Sequence, residues 1–398
     1  MKHTTKCNKL HVFLILALCL YLTRFMDYSG WNFTLSGQLS YLLYALIIVI
    51  AWLKRNKIRI GNNPFSFELG VFMVTPFLTY FSQLSIYGGS IFVIKSYIYH
   101  GIVAVFYLFY IYKIKEEEII KAITYVAIGI VVIQIFQQLN PSMAMFGMGD
   151  GTKDLEVRNG LLRFRFSTIY YTTIALYFYW ERAVNSTNKF YAVLFLLLAV
   201  SDYLYLTRQY MAGMVVALVF SLFYVKERSA KRVSFLFIAL ILSILIYHSE
   251  TLLDYFIESS IDTVNDSDYI RYYAYDFYWN MATSSIGAFL FGNGFPADLE
   301  YWQEELSLYV SDIGVVGQIF THGIFWIIAY ITALYKILWK YRKKIPLYIK
   351  LFVLSAFVHC LMVASYGGAS TLFTWVSILY ISSLHINSVN QLVLYNKK

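Results

Sequence analysis

The sequence predicts an all-α polytopic membrane protein. It reads as one integral membrane domain, residues 1–398, with about twelve transmembrane helices and a large outer loop between spans nine and ten. Three observations lead there. Hydrophobic residues make up 59% of the chain and charged residues only 14%, against about 25% charged in soluble proteins. Apolar runs of about 20 residues, each long enough to cross a hydrocarbon core, recur from end to end and leave no soluble domain between them. Lysine and arginine also crowd onto alternate connections, the bias that fixes orientation in a bilayer.

The first span, 10–26, follows Lys2, Lys6 and Lys9; LHVFLILALCLYL has signal-sequence character, but no small-x-small cleavage site follows it, so it reads as a retained span. Next come 36–53, 67–86 and 90–112, separated by KRNKIR and by the short turn IYGGS. Span 119–137 begins at the end of KIKEEEIIK, and 162–180 follows the polar segment Gln138 to Leu161. The apolar run Phe190–Val225 is twice the length of one span and must fold back. Its polar break, Thr207-Arg208-Gln209, divides it into 190–206 and 209–225 and sets Arg208 at a tight hairpin. A ninth span, 233–248, leads into the loop 249–310, and 311–335, 347–366 and 370–388 complete the set.

Of the 32 Lys and Arg, 24 fall on one set of connections: the N-terminal tail, KRNKIR, KIKEEEIIK, ERAVNSTNK, KERSAKR, KILWKYRKKIPLYIK and Lys397-Lys398. That side is predicted to be cytoplasmic, with both termini there. The same placement accounts for the net charge of +9 without nucleic acid as a partner. Cys7, Cys19 and Cys360 form no disulfide pattern. The 37 Tyr and 32 Phe serve interfacial belts and packing, and also suit sugar rings.

The other side is predicted to be the working face. Its loop 249–310 carries eleven acidic residues and a single cation, Arg271. Long structured loops in a compact protein are usually functional. Within it, SDYIRYYAYDFYWNMATSSI has the pattern of an amphipathic helix lying on the membrane surface, ended by the turn FGNGFP. Lys95 lies roughly six residues into its span, about 9 Å deep. Arg163 and Arg165 sit at the mouth of the sixth span. Cations at such depth pair with acids or mark a substrate path. Clustered where the charge bias would leave few, they suit a shared anion. The planar guanidinium fork suits phosphate, so a lipid-linked pyrophosphate is the expected ligand, with its glycan on the acidic, aromatic loop.

Three segments then resemble the bacterial O-antigen and capsular polysaccharide polymerases (Wzy-like) and the related O-antigen ligases. They are LTRQYMAGMVVALVF, DSDYIRYYAYDFYWNMATSSIGAFLFGNGFP and SDIGVVGQIFTHGIFWIIAYI. The resemblance implies a GT-C-like helical fold and a metal-independent, cofactor-free glycosyl transfer at the outer face of the cytoplasmic membrane. The growing glycan would leave undecaprenyl pyrophosphate for a hydroxyl of an incoming lipid-linked repeat unit. Partners so implied are that lipid-linked oligosaccharide and the bilayer, with a chain-length regulator as a further candidate. By position Arg208 and Arg271 would be the pyrophosphate-binding arginines. The family's His-Asn-like pair is replaced here by Ser311-Asp312, which leaves Asp312 as the candidate general base.

Displacing a pyrophosphate needs fixed cations for the leaving group and a base within reach of the attacking hydroxyl. Arg208 and Arg271 take the first role, helped by Arg163, Arg165 and Lys95. Asp312 takes the second, with Asp268 and Glu250 as alternatives. Asp202, six residues before Arg208, either orients that arginine, acts directly, or forms a structural ion pair. His100, His322 and His359 fall inside spans and read as packed residues. A ligase, or a flippase of lipid-linked oligosaccharides, remains the rival function. A flippase commonly shows two repeated halves, and none is visible in this sequence.

Overall fold

Backbone groups removed from water must bond within their own segment, so long apolar runs wind into helices. The structure is a computed structural model that describes residues 7–29, 33–54, 63–88, 91–147, 157–158, 161–164, 166, 169–186, 188–205, 208–224, 235, 267–296, 298–362 and 368–395. In chain order the principal helices are α1 (Lys9–Leu22), α2 (Phe33–Leu53) and α3 (Ser66–Tyr87). A 3-10 helix, Ile91–Ala104, then runs into α4 (Val105–Ile111), and α5 (Glu116–Leu139) follows. A two-stranded ribbon, β1 (Val157–Arg158) with β2 (Leu161–Leu162), precedes α6 (Ile169–Asn185), α7 (Lys189–Leu204) and α8 (Arg208–Tyr224). After these come α9 (Ser267–Ala282), α10 (Ile286–Phe291), α11 (Leu299–Glu304), α12 (Gly314–His322), α13 (Ile324–Tyr335), α14 (Leu347–Met362) and α15 (Ala369–Tyr395).

The chain is thus mostly helical, and three described helices are long and apolar enough to cross a membrane. Counting one bent pair as a single span raises that to four. The other apolar helices, such as Lys9–Leu22 and Leu347–Leu361, are shorter. The expected span 233–248 lies outside the described residues except for Phe235.

Near the centre, Phe373, Val376, Leu379 and Ile381 of α15 are fully buried. Tyr380 donates to the carbonyls of Phe109 (3.0 Å) and Ile114 (2.7 Å). It thereby ties α15 to the end of α4 and the residues that follow it, where the Phe109 carbonyl also accepts the Ile114 N–H at 3.0 Å.

Hydrogen bonds and ion pairs sort the helix ends into two sets. At one, Glu118 accepts from the Asn8 amide (2.7 Å) and from the His11 ring (2.9 Å), and Lys54 bonds Tyr112 (2.8 Å). The same end holds Glu116 between Tyr348 and His385, each at 2.7 Å, and Glu68 paired with Lys336, also at 2.7 Å. Of these, Glu68 and Lys336 form a Lys–acid ion pair, and Glu116 and Glu118 each meet a histidine. At the other end Ser29 donates to Met145 (2.8 Å) and Gly147 to Asp27 (3.0 Å). Gln138 there brackets Leu162 through both its amide atoms.

One expected element is corrected. The segment 311–335 is not a straight span: Val310–His322 and Ile324–Lys340 meet at a bend of 118°. Gly323 causes the break. Its φ of +79° lies outside the helical region, and its N–H closes α12 on the Ile319 carbonyl at 2.9 Å.

Candidate functional site

The break at Gly323 is filled by the turn FGNGFP. Asn293 donates its backbone N–H to the Phe320 carbonyl (2.6 Å), and Gly294 donates to that of Thr321 (3.2 Å). Two chain reversals, one following α10 and one from the broken helix, therefore pair through main-chain bonds. Gly292, at φ +86°, permits the close approach: a Cβ there would lie 2.6 Å from the Thr321 carbonyl oxygen.

α3 and the 3-10 helix clamp the turn from the opposite side. Gln83 donates to the Phe295 carbonyl (2.8 Å), Thr79 donates to that of Phe291, and the Tyr87 hydroxyl donates to Asn293 Oδ1 (3.2 Å). Residues three apart eclipse on a 3-10 helix, so Tyr97 and His100 face the same way. Tyr97 donates to Gln83 Oε1, and His100 packs beside His322, with ring centroids 5.6 Å apart. His322 in turn stacks on Trp326 at 4.7 Å. The Nδ1 of His322 contacts Thr321 Oγ1 at 2.7 Å and that of His100 the Tyr97 carbonyl at 3.0 Å. Both histidines are buried and packed, as expected.

Beyond the turn, α9 lies against the start of the broken segment. Ala274, Tyr278 and Ala282 form its buried face. Tyr278 donates to the Leu308 carbonyl at 2.6 Å and meets Phe320 edge-on at 4.7 Å. At about 100° per residue, Arg271 belongs to that same face, one turn before the packed residues, and is exposed. Asp312 is exposed in the segment Val310–Ile313, where Ser311 donates to its carboxylate at 3.2 Å. Arg271 and Asp312 thus ride on two elements packed together, and no ion pair joins Arg271 to any described carboxylate.

The opposite face of α9 forms a cleft with the end of α3. It has a volume of about 440 Å³ and is lined by Tyr87, Tyr273, Asp276, Phe277, Asn280 and their neighbours. Phe277 is backed edge-on by Trp302 at 5.3 Å.

The remaining expected site residues lie elsewhere. Asp202 is buried inside the bundle, where it accepts from Thr172 (2.9 Å) and Thr173 (3.4 Å) of α6. Arg163 is half-buried just after β2, between Leu162, which Gln138 holds, and the buried Phe164. The backbones of Lys95, Arg208 and Asp268 fall in helices, but their side chains lie outside the described residues, as do Arg165 and Glu250 entirely. Reading the sequence did not single out Gln83, Tyr87 or Tyr97. Polar groups four residues apart on α3 (Thr79, Gln83, Tyr87) were the one available signal.

No family model matches this chain, and no curated protein matches it.

Proposed function

We propose that the chain is a multi-pass membrane glycosyltransferase that polymerises polyprenyl-pyrophosphate-linked oligosaccharide units at the outer face of the cytoplasmic membrane. About twelve crossings are read from the apolar runs, and the charge bias puts both termini in the cytoplasm. The observation that carries the reading is the packing of the Arg271 helix against the segment that bears Asp312. It sets an exposed cation and an exposed carboxylate on two elements in contact.

In the proposed reaction the bond between the donor's anomeric carbon and the pyrophosphate oxygen breaks, and an acceptor hydroxyl forms the new glycosidic bond. Asp312 takes the hydroxyl proton. Arg271 and Arg208 bind the departing pyrophosphate, with Arg163, Arg165 and Lys95 adding positive charge. Asp268 and Glu250 are the other candidate bases.

A second reading, a flippase for the same lipid-linked glycans, draws on the 118° break, because transporters often build substrate sites from discontinuous helices. Surface polysaccharide from cells expressing single variants separates the two. Arg271→Ala in a polymerase leaves single repeat units on the final acceptor; in a flippase it leaves no extracellular glycan.

A further inference from the structure

We infer that the cleft between α3 and α9 binds the sugar portion of a glycan, as a site separate from the one that holds pyrophosphate. The inference rests on the proposal that this protein handles lipid-linked glycans. Its lining residues recur at helical spacing along one face of α9: Tyr273, Asp276, Phe277 and Asn280, opposite Tyr87. Tyr273 and Phe277, four apart, offer ring faces; Asp276 and Asn280, also four apart, offer a carboxylate and an amide. That alternation matches a pyranose, whose axial C–H face stacks on aromatic rings while its equatorial hydroxyls need donors and acceptors at the edge.

Three further observations support a sugar occupant. The side chains of Asp276 and Asn280 are exposed and make no hydrogen bond to any described residue, so both are available to a ligand. Among the described lining residues there is an acid and no base, which disfavours a phosphate and leaves a carboxylate free to accept from hydroxyls. The volume of about 440 Å³ lies within the range of ligand sites, roughly 300–1,000 Å³.

The position is informative as well. Arg271 lies roughly 150° around α9 from the centre of the cleft stripe. One helix therefore separates a carboxylate-lined aromatic cleft from a cationic face packed on the Asp312 segment. Tyr87, on the cleft wall, also donates to Asn293 of the docked turn FGNGFP, which fixes that wall to the bundle.

The test is calorimetric titration of the full chain, in detergent, with polysaccharide fragments released by mild acid from the surface of the producing cells. These fragments lack lipid and pyrophosphate. Saturable binding is expected, weakened about tenfold or more by Tyr273→Ala and by Asn280→Ala, with unchanged thermal unfolding. Binding should be insensitive to Arg271→Ala. Absence of binding, or equal binding by wild type and both cleft variants, overturns the inference. So does displacement of the fragments by phosphatidylglycerol vesicles, which would make the cleft a lipid site. If the protein forms no polymer but binds fragments through the cleft, the glycosyltransferase reading fails and this one stands. If polymer forms with unchanged acceptor KM in both cleft variants, the reverse holds.

Discussion

The backbone N–H of Asn293 donates to the carbonyl of Phe320 at 2.6 Å, across 27 residues of chain. This bond joins the turn that follows α10 to the last turn of α12, just before the break at Gly323. It makes the loop part of the bundle, and changes at either glycine-rich reversal should be felt at both.

Gly323→Ala should be strongly destabilising, because the new Cβ would collide with the Leu290 carbonyl oxygen at a backbone φ of +79°. Gly292→Ala should act likewise. A loss of about 2–4 kcal/mol is expected for each, visible as a lower unfolding temperature in detergent. Gly70→Ala in α3, where nothing lies within 4 Å, is the control. It should be neutral or stabilise by about 0.5–1 kcal/mol.

Gln83→Leu removes the donor to Phe295 and the acceptor for Tyr97 in a nearly fully buried site. Unpaired buried groups cost about 1–3 kcal/mol each, so this variant should unfold earlier than Tyr97→Phe, which leaves Gln83 bonded to Phe295. Limited proteolysis within 267–296 should report undocking of the turn. Equal resistance in the two variants would remove Gln83 as the clamp.

Lys336→Met strands Glu68, whose side chain is 0% exposed, at the basic end. Breaking such a buried pair costs about 3–5 kcal/mol. The double variant Glu68→Gln/Lys336→Met should recover much of it, and a double variant no more stable than the single would show that Lys336 acts through its bond to the Pro64 carbonyl instead.

Arg271→Ala and Asp312→Asn change exposed residues, so expression and folding should hold while polymer is lost. Arg271→Lys should also be poor, since a point charge cannot reproduce the two-pronged guanidinium. Arg208→Ala should behave like Arg271→Ala. Normal long chains in the Asp312→Asn variant would move the base to Asp268 or Glu250.

Element type was legible because apolar runs have one main solution in lipid. The hairpin expected at Thr207-Arg208-Gln209 from the length of Phe190–Val225 falls at the start of α8: α7 ends at Leu204, and α8 begins at Arg208 and so includes Gln209. The bend at Gly323 was not legible. A lone glycine in an apolar helix is common, and only its contact with Leu290, 33 residues earlier, reveals why this one breaks the helix. FGNGFP was recognisable as a turn, yet its partner was hidden, since long-range main-chain pairing leaves no local pattern. The role of Asp202 was left open between orienting Arg208, acting directly and forming a structural ion pair. Its bonds to Thr172 and Thr173 join α6 to α7, which the six-residue spacing to Arg208 could not indicate.

Reconstitution in vesicles with a lipid-linked repeat unit, followed by sizing of the products, tests the central claim most directly. The account predicts a ladder at integral multiples of the repeat, abolished by Arg271→Ala. Movement of the lipid-linked unit across the bilayer with no new glycosidic bond would contradict it.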